Sequence, residues 1–150
     1  MGDHRWTIRP YADDDLAGVL DAWYLASLEA HPFLTDDFLA AERTQIAEQF
    51  LPASETWVCE VDGRVAGSVS VIGNEVGGIF VNPADQNRGI GRALLDQVAT
   101  DRSHLEFEVF AANTIGRRFY DACGFRALSE GFDEATGHPV IRLRFDRPSS

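Results

Sequence analysis

Arg88, Gly89, Gly91 and Arg92 fall close together in the stretch Gln86-Asn87-Arg88-Gly89-Ile90-Gly91-Arg92-Ala93-Leu94-Leu95. Upstream, Gly78-Ile79-Phe80-Val81-Asn82-Pro83 reads as an apolar strand stopped by a proline, which cannot extend a paired ladder. Downstream, Leu94, Leu95 and Val98 recur at helical spacing and predict a helix from about Gly89 to Thr100. The glycine-rich stretch therefore joins a strand end to a helix start. The first turn of a helix has unpaired N–H groups and a partial positive charge, and glycine lets the main chain approach a ligand with no Cβ between. The chemistry that follows is the holding of anionic oxygens, a phosphate cradle.

Two common cradles do not fit. A dinucleotide fingerprint needs a third glycine where Leu94 stands. A Walker-type loop needs a lysine, and all thirteen basic residues of this chain are arginine. What remains is Gln/Arg-x-x-Gly-x-Gly/Ala after an apolar-Asn-Pro step, and this resembles the acetyl-CoA signature of the GNAT acetyltransferase superfamily. A second block, Asn113 through Phe125, extends the resemblance at Asn113, Phe119, Tyr120, Gly124 and Phe125.

The resemblance implies that Gln86, Asn87, Arg88, Gly89, Ile90, Gly91, Arg92 and Ala93 hold the pyrophosphate of acetyl-CoA. It implies that the main chain of Ile79, Phe80 and Val81 pairs with the pantetheine arm, with the Val81 N–H aimed at the thioester carbonyl. It also implies that Asn113 contacts the cofactor and that the Tyr120 hydroxyl lies beside the sulfur as hydrogen-bond donor or general acid. Each residue has a plainer reading beside this one. Asn113 can cap a helix, Phe119 and Phe125 are simplest as core, and Arg92 can be an exposed arginine. Reference pKa values of roughly 10 for tyrosine and 8.5 for a thiol favour a donated hydrogen bond over early proton transfer.

The implied reaction moves an acetyl group from acetyl-CoA to a primary amine of a small molecule or peptide by direct attack, without a covalent enzyme intermediate or a metal. A non-catalytic acyl-CoA-binding sensor or interaction module is the alternative. An ordinary amine is neutral in only about one molecule in 2,500 at pH 7, so a base or a desolvating site is required. Glu75, Glu108, Glu29 and His31 are the candidates, each with a structural role as its plainer reading. His31-Pro32-Phe33-Leu34 lies where such proteins line the acceptor groove, and Trp23 and Tyr24 are expected to extend that wall. Cys59 and Cys123 lack the neighbouring base of an acyl-carrying nucleophile and are expected to be free buried thiols.

These residues need elements to place them. Arg5 to Pro10 reads as a strand, and Asp13-Asp14-Asp15 as the acidic start of a helix with Leu16, Val19, Leu20, Trp23 and Leu28 on one face. His31-Pro32 ends that helix. Thr35-Asp36-Asp37 caps a second helix with Phe38, Leu39, Ile46 and Phe50 on its face, closed by Pro52. Thr56–Val61 and Val65–Ile72 form a hairpin about Asp62-Gly63, and Gly73-Asn74 turns the chain into Val76–Val81. After the central helix, the alternation through Leu105, Phe107 and Val109 predicts a strand, Thr114–Ala122 a short helix ended by Gly124, and Phe125–Leu128 the start of a strand. Ala135–Pro139 is a loop, Val140–Phe145 closes the set, and 147–150 is a polar tail. The order β-α-α-β-β-β-α-β-α-β-β is a mixed, mostly antiparallel α/β sheet flanked by helices, as in the GNAT fold, where strands 4 and 5 splay apart to admit the pantetheine.

The chain has 150 residues, 45% of them hydrophobic, enough for one domain with a real core. No apolar run reaches the ~20 residues of a membrane helix, and Met1–Trp6 lacks a signal-peptide core, so a cytoplasmic protein is expected. The net charge of −11 argues against nucleic acid as a partner. That charge is uneven: residues 1–60 carry twelve Asp/Glu against three Arg, and residues 61–150 twelve against ten. An anionic cofactor on the balanced half and a cationic acceptor on the acidic half suit this asymmetry, as does the plain solubility of acidic helices. Proteins of this kind are commonly dimers, so a homodimer is among the expectations.

Overall fold

The computed structural model describes residues 6–147; Arg5, the rest of the start of the chain and residues 148–150 lie outside the described residues. Seven strands form one sheet in the order β1-β2-β3-β4-β5-β7-β6. They are β1 (Trp6–Pro10), β2 (Glu55–Val61), β3 (Arg64–Ile72), β4 (Glu75–Val81), β5 (His104–Phe110), β6 (Arg126–Phe132) and β7 (Pro139–Asp146). Every pairing is antiparallel except β4 with β5. The helices are α1 (Leu16–Ala30), α2 (Asp36–Gln45), α3 (Leu51–Ala53), α4 (Ile90–Ala99) and α5 (Thr114–Ala122). This is the expected mixed α/β architecture.

Strand periodicity divides the core between two faces. Val58 and Cys59, successive on β2, enter different clusters. Val58 joins Val19 and Leu51 beneath α1 and α3, and Cys59 joins Ile90, Leu94, Leu95 and Val98 beneath α4. The β2–β3 turn has Asp62 at φ 51° and Gly63 at φ 80°, the two left-handed residues that a tight hairpin turn requires.

Two local features shape the space between β4 and β5. First, Ser70 pairs with Gly78 but Val71 with Val76, so Gly77 is an extra residue bulging from β4. A Cβ on Gly77 would stand 1.9 Å from the ring of Phe50, so the phenyl packs where only glycine permits it. Second, β4 and β5 pair at only Glu75↔Glu106 and Val76↔Phe107, after which they part, while β5 stays paired with β7 along its whole length. This is the splay implied by the resemblance to the GNAT fold. Arg142 of β7 pins the meeting point: it donates to Glu106 at 3.0 Å and reaches over β5 to Glu75.

Two expectations are corrected. Leu28 is exposed, and the buried stripe of α1 is Val19, Leu20, Ala22, Trp23, Ala26 and Ser27. Five residues past Trp23, Leu28 is turned about 140° away from it around the helix. Pro52 does not close the second helix: α2 runs on through a π turn (Ile46–Phe50), and Pro52 lies inside the final turn α3. The π turn bonds Leu51 N–H to Ile46 O, and the missing N–H of Pro52 then costs no further rung. The central helix is found as read, Ile90–Ala99 between Gly89 as N-cap and Thr100 as C-cap.

Candidate active site

The parting of β4 and β5 opens into a cavity of about 1240 Å³, larger than the usual 300–1,000 Å³ of a small-ligand pocket and roomy enough for two reactants. Along β4, the Asn82 N–H bonds to Ala66 O of β3 at 2.8 Å. Amide directions alternate along a strand, so the Val81 N–H turns the other way, toward the side that β5 has left. The Val81 carbonyl on that side is taken by Gln86 Nε2 at 3.2 Å. The Val81 amide is thus an oriented donor on the open edge.

The cradle follows. Asn87 (φ 66°) and Gly89 (φ 85°) are left-handed on either side of Arg88, a conformation that curls successive N–H groups into a concave nest. No side chain caps the N-terminus of α4 and no acid lies in its first turn, so its leading amides stay available. Beneath the nest, Asp85 is fully buried and accepts two hydrogen bonds from Arg64, at 2.6 and 2.7 Å, with Arg88 a further 3.9 Å away. The Arg64 guanidinium holds the Asp85 carboxyl below the usual range despite burial. Gln86, Asn87, Gly89, Ile90, Gly91 and Arg92 face the cavity; Arg88 and Ala93, expected with them, do not line it. Arg88 points instead at Asp85, and Ala93 belongs to the second turn of α4, its N–H already bonded to Gly89 O.

Tyr120 lies next to the point where the strands part. Its ring packs against Phe107, the last β5 residue paired with β4, at 4.8 Å, and against Phe119 and Phe125 at 5.1 and 5.4 Å. Three aromatic neighbours fix its direction, and no protein group among the described residues hydrogen-bonds its hydroxyl. Burial pushes the phenol far above its usual pKa, so it remains a proton donor at any working pH. Phe119 and Phe125 belong to the core as read from the sequence, and Phe119 also reaches the cavity wall.

Asn113 does what a capping residue does. Its Oδ1 accepts from Gly116 N at 2.8 Å, which turns its amide nitrogen toward His31 Nε2 at 3.2 Å. An NH2 group only donates, so His31 Nε2 accepts and the imidazole carries its proton on Nδ1. Desolvation lowers the His31 pKa to about 4, in keeping with a neutral ring. The same ring packs edge-on against Phe33 and Phe110, at 5.8 and 5.1 Å. His31 is therefore a fixed wall element whose acceptor nitrogen is occupied, which removes it as a base.

The other acceptor-side residues divide. Trp23 is buried and lines the cavity, and its Nε1 donates to Glu42 Oε1 at 3.2 Å. Glu29 and Glu108 also face the cavity. Two expected wall residues stand off it. Tyr24 opens onto a smaller depression beside α2, and Phe33 packs against all three of His31, Phe110 and His138 in an aromatic cluster. Glu75 faces the cavity but is bound to Arg142, and taking up a proton would break that pair. Burial raises both cysteine thiols, Cys59 to about 11, so neither is a thiolate nucleophile.

Sequence reasoning missed Glu42, Asp85, Phe110, Asp133 and the partners Arg64 and Arg142. Glu42 reads as one more acid on a solvated helix, and Asp133 as loop. Only Asp85 carried a signal: it follows Asn82-Pro83, and the Asn82 side chain caps that 3-10 turn through Ala84 N.

Residues 52–127 match the family model described as an acetyltransferase (GNAT) domain. The peptidyl-lysine N-acetyltransferase YiaC of Escherichia coli (strain K12) is 30% identical over 134 residues, covering 89% of this chain and 92% of that protein. The peptidyl-lysine N-acetyltransferase YjaB of Salmonella typhimurium is 27% identical over 124 residues, covering 81% and 85%. Among solved structures, the apo form of YjaB from Escherichia coli superposes with a TM-score of 0.82 at 20% identity, covering 93% and 96%. The PaiA N-acetyltransferase of Thermoplasma acidophilum in complex with coenzyme A gives 0.74 at 14% identity, covering 91% and 97%. At these identities the two structures speak for the fold.

Proposed function

The chain belongs to the GNAT acetyltransferase family, and from that membership we propose that it acetylates the side-chain amine of lysine in a peptide or protein. As a member of the family it is an acetyl-CoA-dependent N-acetyltransferase, and the sensor reading is not favoured. The single observation that carries the choice of acceptor is the charge of the cavity. Glu29, Glu42, Glu108 and Asp133 reach its walls from α1, α2, β5 and the turn after β6, and among the described residues none of the four is paired with an arginine. Such a surface attracts an ammonium group and repels an acidic acceptor. The lysine specificity named for YiaC and YjaB points the same way.

In this reading the nest at Gln86–Gly91 holds the diphosphate, and the open edge of Ile79–Val81 pairs with the pantetheine amides as a substitute strand. The Val81 N–H polarises the thioester carbonyl; losing one such donor elsewhere costs about 3–4 kcal/mol of activation energy. Tyr120 donates a hydrogen bond to the departing sulfur. Asn113 and His31 brace the wall between them, and Trp23 contributes from α1.

The test compares a blocked peptide carrying one lysine, a peptide with a free N-terminus and no lysine, and a panel of small amines, with release of free CoA as the readout. The chain has no lysine of its own, so acetyl-lysine detected in the mixture comes from the substrate. Faster turnover of the lysine peptide is expected. Turnover confined to small amines or to the free N-terminus would remove the lysine assignment.

A further inference from the structure

We propose that Glu42 is the group that takes the proton from the acceptor ammonium, with the Trp23 indole fixing its carboxylate; the assignment rests on the acetyl-transfer reading above. Glu42 projects from α2 into the cavity wall, and its Oε1 accepts the Trp23 Nε1–H at 3.2 Å. Trp23 is only 1% exposed, so the anchor is part of the core and the carboxylate has a set direction. Among the described residues no donor engages Oε2, and no arginine or histidine forms an ion pair with Glu42. One oxygen is thus held by the protein, while the other has no protein donor among the described residues and belongs to a side chain on the cavity wall.

The competing acids lack this combination. Glu75 is bound to Arg142, Glu29 and Glu108 are exposed with no hydrogen bond among the described residues to fix them, and the acceptor nitrogen of His31 is occupied by Asn113. The surroundings also suit a proton acceptor for an amine. Burial raises the Glu42 carboxyl above its ordinary pKa, the Trp23 hydrogen bond opposes this, and the like charge of Asp133 adds to the rise. A carboxylate raised in this way lies closer to the ammonium it must deprotonate. The remaining charged or titratable groups on the cavity wall are Glu29, His31, Glu75, Asp85, Arg92, Glu108, Arg118 and Tyr120.

The step balances. Glu42 Oε2 removes one proton from the ammonium, and the freed lone pair forms the N–C bond at the thioester carbonyl carbon. The C–S bond breaks, and sulfur leaves with its electron pair. The second amine proton is lost as the amide forms, one proton reaches the sulfur on the Tyr120 side, and Glu42 returns the other to water.

The experiment measures steady-state rates on the blocked lysine peptide between about pH 6 and 9, with acetyl-CoA affinity by calorimetry and a thermal melt for each variant. In E42Q the amide oxygen still accepts from Trp23 but the side chain takes no proton. We expect kcat near neutral pH to fall by about 10²-fold or more, with acetyl-CoA affinity unchanged. The residual rate should climb about tenfold per pH unit toward the pKa of the amine. E42D, which keeps a carboxylate, should recover part of the loss. A kcat for E42Q within twofold of the parent, or a rise in KM alone, would overturn the assignment while leaving acetyl transfer intact. Failure of the unaltered protein to release CoA with any amine would overturn both.

Discussion

Arg64, the first residue of β3, grips both carboxylate oxygens of Asp85, the last residue before the cradle, at 2.6 and 2.7 Å. The pair ties the loop that shapes the nest to a strand in the middle of the sheet. Asp85 is fully buried whereas the Arg64 side chain is half exposed, so the two partners differ in what their removal does.

Arg64→Ala strands a buried carboxylate with only Arg88 nearby, and such losses cost roughly 3–5 kcal/mol when both partners are buried. With Arg64 half solvated we expect roughly 1–3 kcal/mol, read from urea unfolding, and a weaker affinity for CoA. The Asp85 pKa is lowered in the folded state, so this stability is present above the unfolded carboxylate pKa of about 3.9 and is lost as pH falls through the folded value. An unchanged stability in Arg64→Ala would show that the pair does not hold the loop.

Tyr120→Phe should leave stability within about 1 kcal/mol of the parent, because no protein hydrogen bond is lost and the three ring contacts remain. Its kcat should drop by about 10²-fold with acetyl-CoA affinity retained. Equal kcat values in the two proteins would end the assignment of Tyr120 to the leaving sulfur.

His31 links pH to stability. Its folded pKa of about 4 lies below the ordinary value near 6.5, so the unfolded chain binds the proton first as pH falls. Stability from the neutral ring is complete above about pH 6.5 and is lost progressively down to about pH 4, by up to roughly 2–3 kcal/mol. Denaturant midpoints across this window should slope in the parent and flatten in His31→Gln. The same slope in both would place the effect elsewhere.

Gly77→Ala sets a methyl against the Phe50 ring and should destabilise by about 1–3 kcal/mol, the usual cost of overpacking. Phe50→Leu in the same chain should recover part of the loss, a coupling that a double-mutant cycle on melting data would reveal. Additive effects would mean that the bulge moves instead.

Local signals carried the fold a long way. The Asp62-Gly63 hairpin, the helix Thr114–Ala122 and the Thr35 cap follow from residues within a few positions of each other, and each is found as read. The glycine nest was legible for the same reason. What the sequence hid are meetings across long chain separations. Glu42 owes its character to Trp23, nineteen residues away, and Glu75 loses its freedom to Arg142, sixty-seven residues away. Leu28 was misplaced because a helix with alanines and serine on its buried side offers little contrast between faces.

The short join between β4 and β5 makes a lever of the sheet. From Glu75 to Val81 the strand extends six residues, about 20 Å at 3.3 Å per residue. A rotation of only about 3° at the fulcrum where Arg142 clasps Glu75 and Glu106 would carry the tip by about 1 Å, and a misalignment of that size can cost about 10²-fold in rate. If Arg142 sets the angle at which the two strands part, turnover should respond to Arg142→Ala more steeply than melting temperature does.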